Sequence, residues 1–443
     1  MLRHLGIFFL LILFISGCAG DVSKEEREGE ENVEHFVEEG VTPGPVPGGV
    51  SSVAWHRILS SEEKVLDVHP IPIGIALVYE DGLVALSGVS GEEVWRYREE
   101  GSSPNIHFSN NGEIAILEFV VKSDSGDSIR ALMLDGSSGE VLEDVVLEES
   151  SAENAQWFPG SMFSQFDEEV RIATPAGWGS HELMSAKSIS DGKEIWAQTE
   201  LMTCSSSSDF EMYLGSPEVI PGFVVRPLTC AETVSADGIT PGPDGLMSAG
   251  IIAFDLETGE EVWRFEEEYE GTANTTRQRD GLVFSSDGNY VFQNIDSDGT
   301  NVIKIDSGER VPWVSGEVLD INMSSGTATV FRDGHYRLIE EEGEVAKTSP
   351  SEACPENASF RDGQVASLAS GVLLICGGGE TNSEMFAHQF SWLDEGNEAV
   401  EIDLTADSPG YFESIDQILV VPGAVVAVAK DAQGNLSGIL GLS

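Results

Sequence analysis

Short apolar or alternating runs recur along most of the chain, separated by polar clusters rich in Gly, Asp, Ser and Asn. Examples are LVALSG at 83–88, LMSAKSI at 183–189 and GIIAFDL at 250–256. Runs of this length bounded by turn residues predict β-strands joined by hairpins. The exception is the start. Residues 1–18 read MLRHLGIFFLLILFISGC, a charged opening followed by an unbroken apolar run from Leu5 to Ile15. That run is too short to cross a bilayer, which takes about 20 apolar residues, but it suits the apolar stretch of an export signal.

Three of the strand-ending segments align without gaps. They are Ser87-Gly-Val-Ser-Gly-Glu-Glu-Val-Trp95, Ser188-Ile-Ser-Asp-Gly-Lys-Glu-Ile-Trp196 and Asp255-Leu-Glu-Thr-Gly-Glu-Glu-Val-Trp263. Gly91, Gly192 and Gly259 each stand four residues before a Trp. The pattern predicts a hairpin in which Gly supplies a positive φ and the Trp, fixed in register, fills a gap between neighbouring sheets. Weaker copies lie at 135–142, 306–313, 342–345 and 395–400, the second ending in Trp313. With Trp55, the Trp or its equivalent falls at 55, 95, 143, 196, 263, 313, 347 and 400, about 49 residues apart on average. Such a period, with four short strands per unit, predicts an all-β fold, a β-propeller. The count gives eight blades, with seven left open because 318–348 is short for a full blade. The ring is expected to close through strand 52–58 joining the C-terminal blade, which would leave no open sheet edge between the termini. Trp55, Trp95, Trp196, Trp263 and Trp313 are expected to pack between blades.

These segments resemble the pyrroloquinoline-quinone-type propeller repeat, in which a strand is followed by Asp-x-x-Thr-Gly and, two or three residues later, a Trp; residues 251–264 match it best. Three copies match well and the others follow by spacing, so that the resemblance spans most of 52–443. It implies a fold. The repeat occurs in quinone-dependent dehydrogenases, in the propeller lipoprotein of the outer-membrane barrel-assembly machinery, and in other exported proteins. The quinone enzymes place a vicinal disulfide over the cofactor and hold calcium beside a catalytic Asp. This chain has no adjacent Cys pair, so neither the quinone nor a catalytic residue is expected.

The end of the apolar run, Ile15-Ser16-Gly17-Cys18, resembles the lipobox of prokaryotic lipoproteins, in which the Cys carries the lipid. This implies a signal peptide over 1–17, a lipidated Cys18 and an extracytoplasmic, membrane-anchored protein. Residues 18–50 are acidic and then rich in Pro and Gly, and read as a solvated tether; the propeller is expected over 51–443. Four further cysteines agree with export. Cys204 with Cys230 and Cys354 with Cys376 are the favoured pairs, each closing a local loop worth about 3–4 kcal/mol on the chain-entropy model.

Charge narrows the partners. With 77 Asp and Glu against 23 Lys and Arg, the net charge is −54. Nucleic acid and anionic lipid surfaces are excluded, because both need a basic face. Residues 1–17 carry +1 and the tether −7, which leaves −48 on the propeller. Spread over a body of this size, the charges stand roughly 18 Å apart, beyond the screening length of about 8 Å. The acid-rich, Lys-poor composition resembles that of a halophile's exported protein.

Candidate chemistry is sparse. The eight His show no metal-ligand spacing, and no HExxH, phosphate loop or Gly-x-Ser-x-Gly elbow is present. Calcium has one weak candidate, the oxygen ligands of Asn294, Asp296 and Asp298 before Gly299. The reading that follows is a monomeric, non-enzymatic binding or scaffold module for a protein, peptide or polysaccharide. The alternatives are an envelope assembly factor like the barrel-assembly lipoprotein, and an enzyme with a site at the propeller channel.

Overall fold

The computed structural model describes residues 33–38, 40–60, 64–109, 112–123, 126–147, 165–166, 170–173, 184–188, 193–198, 202–205, 211–215, 217–235, 238–240, 246–270, 282–285, 289–294, 300–312, 314, 316–322, 327–340, 342–348, 365–379, 382–391, 400–404, 414–431 and 433–443. Cys18, Gly192, Asp296, Asp298, Trp313 and Cys354 lie outside them.

The described residues form strands and no helix, and the fold is an all-β propeller. Seven sheets have four or more strands, all antiparallel. Blade A contains Val65–Ile71, Gly74–Tyr79, Gly82–Ser87 and Glu93–Glu99. Blade B contains Asn105–Phe108, Ile114–Ser123, Gly126–Asp135 and Val141–Leu147. Blade C contains Gln165–Phe166, Val170–Ala173, Ser185–Ser188 and Glu194–Ala197. Blade D contains Glu211–Leu214 and Glu218–Ile220 on one edge, then Phe223–Ala231, Leu246–Asp255 and Glu261–Glu270. A three-stranded sheet follows, Val283–Phe284, Tyr290–Asn294 and Thr300–Lys304. Blades E (317–348) and F (365–403) come next. Blade G joins Ser414–Val421, Ala424–Lys430 and Leu436–Leu442 to Val53–Ile58, the ring closure expected from the termini.

Seven full blades therefore stand where eight were counted. The incomplete unit is the three-stranded sheet between blades D and E, and the short stretch 318–348 is a complete blade. Pro312 gives the reason. A proline has no N–H for the ladder, and the described residues after Gly308 make an isolated bridge between Ile303 and Arg310, with bonds from Lys304 N–H to the Glu309 carbonyl and from Val311 N–H to the Val302 carbonyl, rather than a strand.

The expected tether also changes. Its described part, 33–50, does not stand away from the propeller. Val33–Val37 pairs with Glu93–Glu99 as a fifth, outermost strand of blade A. The Pro/Gly stretch then crosses the ring. Gly423 N–H donates to the Pro45 carbonyl at 2.9 Å and Ser370 N–H to the Gly48 carbonyl at 2.7 Å. Val50 is buried among residues of blades F and G.

Alternating strands put the first and third turns of every blade on one face of the ring. Apolar clusters seal the interfaces between neighbouring sheets: G with A, A with B, C with D, D with the three-stranded sheet, that sheet with E, E with F and F with G. Between B and C no shared cluster forms among the described residues. Ile114, Ile116, Ala131 and Met133 of blade B, with Val145 against them, make a small cluster of their own.

Candidate functional site

The repeat residues explain both the seals and the gap. In the outer strand of a blade one residue is bulged out just before the Trp. Ala85 pairs with Trp95 and Leu86 with Glu93, and the same shift sets Ala186 opposite Trp196 and Ala253 opposite Trp263. Trp55 faces Gly441. A small residue opposite each Trp leaves room for the ring to lie across into the next blade. There its indole N–H donates to a turn carbonyl: Trp55 to Gly88 at 2.8 Å, Trp95 to Gly136 at 3.2 Å, Trp196 to Leu256 at 2.8 Å and Trp263 to Ile305 at 2.7 Å. Each acceptor stands three residues before the turn Gly, whose missing Cβ makes space for the ring. A Cβ on Gly91, Gly139, Gly259 or Gly308 would come within 2.5–2.8 Å of the indole, and all four have φ near +70°. The Asp that opens the turn completes the unit. Asp255 Oδ1 accepts from the N–H groups of Glu257 and Thr258 and from the Thr258 hydroxyl. Those bonds hold its carboxyl below the usual range. Thus Trp55, Trp95, Trp196 and Trp263 pack between blades, and Gly is required for the contact as much as for the turn.

At the B–C interface this lock is missing. Register places Glu143 where the Trp would be, opposite Met133 rather than Ala or Gly. In blade E the same register puts Ala346, not Lys347, at the Trp position. A cavity of about 960 Å³ opens beside Glu143. Pro72, Glu113, Ile114, Met133, Asp135, Ser137, Leu142, Glu143, Val170, Ser188 and Ile195 line it. It opens on the turn-bearing face. Blade C keeps its hairpin closure here, with Ser188 N–H donating to the Lys193 carbonyl at 2.9 Å, the bond that Asp255 and Glu260 make in blade D. Leu142 and Ile195, the bulged residues of the two blades, are about half exposed at the rim (49% and 45%).

Deeper in the same interface the two blades meet through charge. Arg171 of blade C is ion-paired with Glu118 of blade B, both buried. His107 Nε2 lies 3.4 Å from the other Glu118 oxygen. Burial alone would raise the Glu118 carboxyl; contact with His107 and the Arg171 charge outweigh it and hold the group below its ordinary value. At the cavity wall Asp135 behaves alike. Burial opposes its charge, but bonds from the hydroxyls and N–H groups of Ser137 and Ser138 keep its carboxyl low and ionised.

Two further groups are perturbed. Burial lowers the His69 imidazole to about 4, against a small opposing effect of Asp67, and the ring stacks on Phe108 with centroids 4.1 Å apart. Burial also raises the Glu218 carboxyl to about 7. Neither was marked by the sequence, because their burial comes from neighbouring blades.

Among the described residues no group of three or more His, Cys, Asp and Glu is placed to hold a metal ion. Of the calcium candidates, Asn294 ends a strand, and the two Asp lie outside the described residues. Flanking that hairpin, Gln293 and Asn301 face each other across two strands, both buried, their amide groups without a hydrogen-bond partner among the described residues. Cys204 and Cys230 form a disulfide with Cα atoms 6.0 Å apart. Cys376 is also disulfide-bonded.

No family model and no curated protein matches the chain. Solved structures resemble it in fold. BamB from Moraxella catarrhalis matches with 12% identity over 88% of this chain and 97% of that one, at a TM-score of 0.43. The quinohemoprotein alcohol dehydrogenase ADHIIG from Pseudomonas putida HK5 matches with 11% identity over 88% and 75%, at a TM-score of 0.39. Both are propellers of the pyrroloquinoline-quinone-like kind.

Proposed function

We propose that the chain is an extracytoplasmic lipoprotein, anchored through Cys18, whose propeller is a non-enzymatic binding or scaffold module adapted to high salt. The observation that carries this reading is the cavity beside Glu143. A ring clamped by indole locks and apolar clusters is stiff, and the one interface that lacks both among the described residues holds a preformed recess on its turn-bearing face. The lipobox and the Cys204–Cys230 disulfide support placement outside the cytoplasm. The partner class is a protein, peptide or polysaccharide, and the protein acts as a monomer.

Two experiments test the reading. Cys18→Ser is expected to move the protein from the membrane to the soluble fraction; retention in the membrane would remove the anchor. The soluble form, residues 19–443, is expected to recover a specific partner from envelope extract. Recovery should weaken when the recess is filled by the paired change Met133→Ala with Glu143→Trp. Repeated failure to recover any partner counts against a binding module. Recovery of barrel-assembly components would redirect the reading to envelope assembly.

A further inference from the structure

We infer that the cavity between blades B and C is a binding site for a small aromatic ammonium, an indole-sized apolar group carrying a positive charge. The inference rests on the reading of the chain as a binding module and names the ligand class of that recess.

The size and shape come from the molecule's own usage. At four interfaces the corresponding space holds an indole, stacked on a turn Gly and hydrogen-bonded to a turn carbonyl. At the B–C interface the residue in register is Glu143, and the cluster behind it belongs to blade B alone. The volume, about 960 Å³, falls in the range of small-molecule sites. Ile114, Met133, Leu142, Val170 and Ile195 supply apolar walls that a flat ring can cover.

The charge comes from the lining. Glu113, Asp135 and Glu143 stand on it, with no Lys or Arg among the described lining residues. Among the described cations of blade C, Arg171 and Lys187 are buried and engaged, the former with Glu118, and the exposed Lys193, on the hairpin between Ser188 and Ile195, is engaged as well. An anion entering the recess would meet three carboxylates in a partly desolvated space, where repulsion is stronger than in water. An ammonium or guanidinium on an apolar body satisfies both the walls and the charge.

Tryptamine is the probe, with indole-3-propionate as the anion of the same ring, titrated calorimetrically at pH 7 and low salt. Saturable tryptamine binding is expected, tighter than that of the anion by about tenfold or more. Met133→Ala with Glu143→Trp restores the small residue opposite a Trp and fills the space. It is expected to abolish tryptamine binding while melting no lower than the parent. Should that variant fail to fold, Glu143→Gln keeps the space and removes one charge, and is expected to weaken tryptamine binding severalfold while the anion's holds or strengthens. Equal binding of the two probes, no saturable tryptamine binding, or binding unchanged in the filled variant would overturn the inference. Partner recovery with a null tryptamine titration sinks the ligand class alone. Tryptamine binding without a recoverable partner supports the class and counts against the wider reading.

Discussion

The pairing of a turn Gly with an indole from the preceding sheet is the smallest repeated unit of this molecule, and both halves are needed. At Gly259 an added Cβ would lie 2.5 Å from the Trp196 ring, at a φ of +71° that side chains rarely adopt. Gly259→Ala is therefore expected to destabilise by about 2–4 kcal/mol, combining overpacking with backbone strain. Trp196→Ala, which empties the same space and orphans the Leu256 carbonyl, should cost about 3–5 kcal/mol. Chemical denaturation of each variant measures the loss; a cost under about 1 kcal/mol for either would remove the lock as a stabilising device. Glu218 gives a prediction of opposite sign. Its folded carboxyl titrates near 7 against an ordinary value of 4.5. The raised group favours the fold fully below the ordinary value, and that advantage is lost as pH rises toward 7. Glu218→Gln is expected to stabilise at pH 8 by up to roughly 2 kcal/mol after allowing for partial exposure, with little effect at pH 4. Equal effects at both pH values would show that burial does not set this group. At this scale the spacing of Gly and Trp was legible in one sequence, because a four-residue offset in three copies is hard to produce by chance. What the Trp bonds to was not legible, since the acceptor lies in the next blade 33–60 residues on. The empty lock at Glu143 was visible as a missing Trp, but its consequence needed the register.

Among the elements, the outermost strand Val33–Val37 is the least expected. Its alternation, VEHFV, sits in a sequence dominated by acids, and on composition alone the segment reads as solvated. An edge strand is defined by its partner more than by its own propensity, and here the partner is Glu93–Glu99. The effect is visible at the bulged residues. Ile195, Val262 and Val345 are 45–53% exposed at the outer rim, whereas Val94 is 4% exposed because the added strand covers it. His35 extends the strap to blade B with a bond to the Gly139 carbonyl at 2.9 Å, and Glu34 pairs with Arg96 at 3.1 Å. A protein beginning at residue 51 is accordingly expected to melt lower and, with Val94 and a sheet edge uncovered, to self-associate. Thermal melting and size-exclusion chromatography of the two lengths check this; identical profiles would show that the strap adds nothing. The strand-poor fifth unit has the converse history. Spacing alone marked it as a blade, and among the described residues an isolated bridge beside Pro312, which has no N–H, stands where a fourth strand would pair.

Taken whole, the molecule carries a net charge of −54, most of it on a ring whose described interior is mainly apolar. Its few cations are placed against that excess. Arg98 meets Asp81, Arg130 meets Glu99 and Asp144, Arg264 meets Glu261, Arg310 meets Glu267, Arg337 meets Asp333 and Glu344, and Lys430 meets Asp416. Exposed pairs of this kind contribute about 0–1 kcal/mol each and weaken as salt rises, so their loss alone would lower stability in brine. Two effects run the other way. Salt screens the repulsion among the excess carboxylates, which is largest where they adjoin, as at Glu266–Glu267–Glu268. High ionic strength from excluded salts also strengthens burial of the apolar clusters that seal the interfaces. Carboxylates outnumber cations more than threefold, so relief of repulsion should outweigh the lost pairs. The melting temperature is thus expected to rise between 0.05 and about 2 M NaCl, steeply at first where screening dominates and then more slowly. Sodium sulfate at equal ionic strength should raise it further, because sulfate is the more strongly excluded anion. A melting temperature that is flat or falls over the same range would mean that the ion pairs, rather than the unpaired acids, govern the response to salt, and would remove the high-salt adaptation from the proposed function.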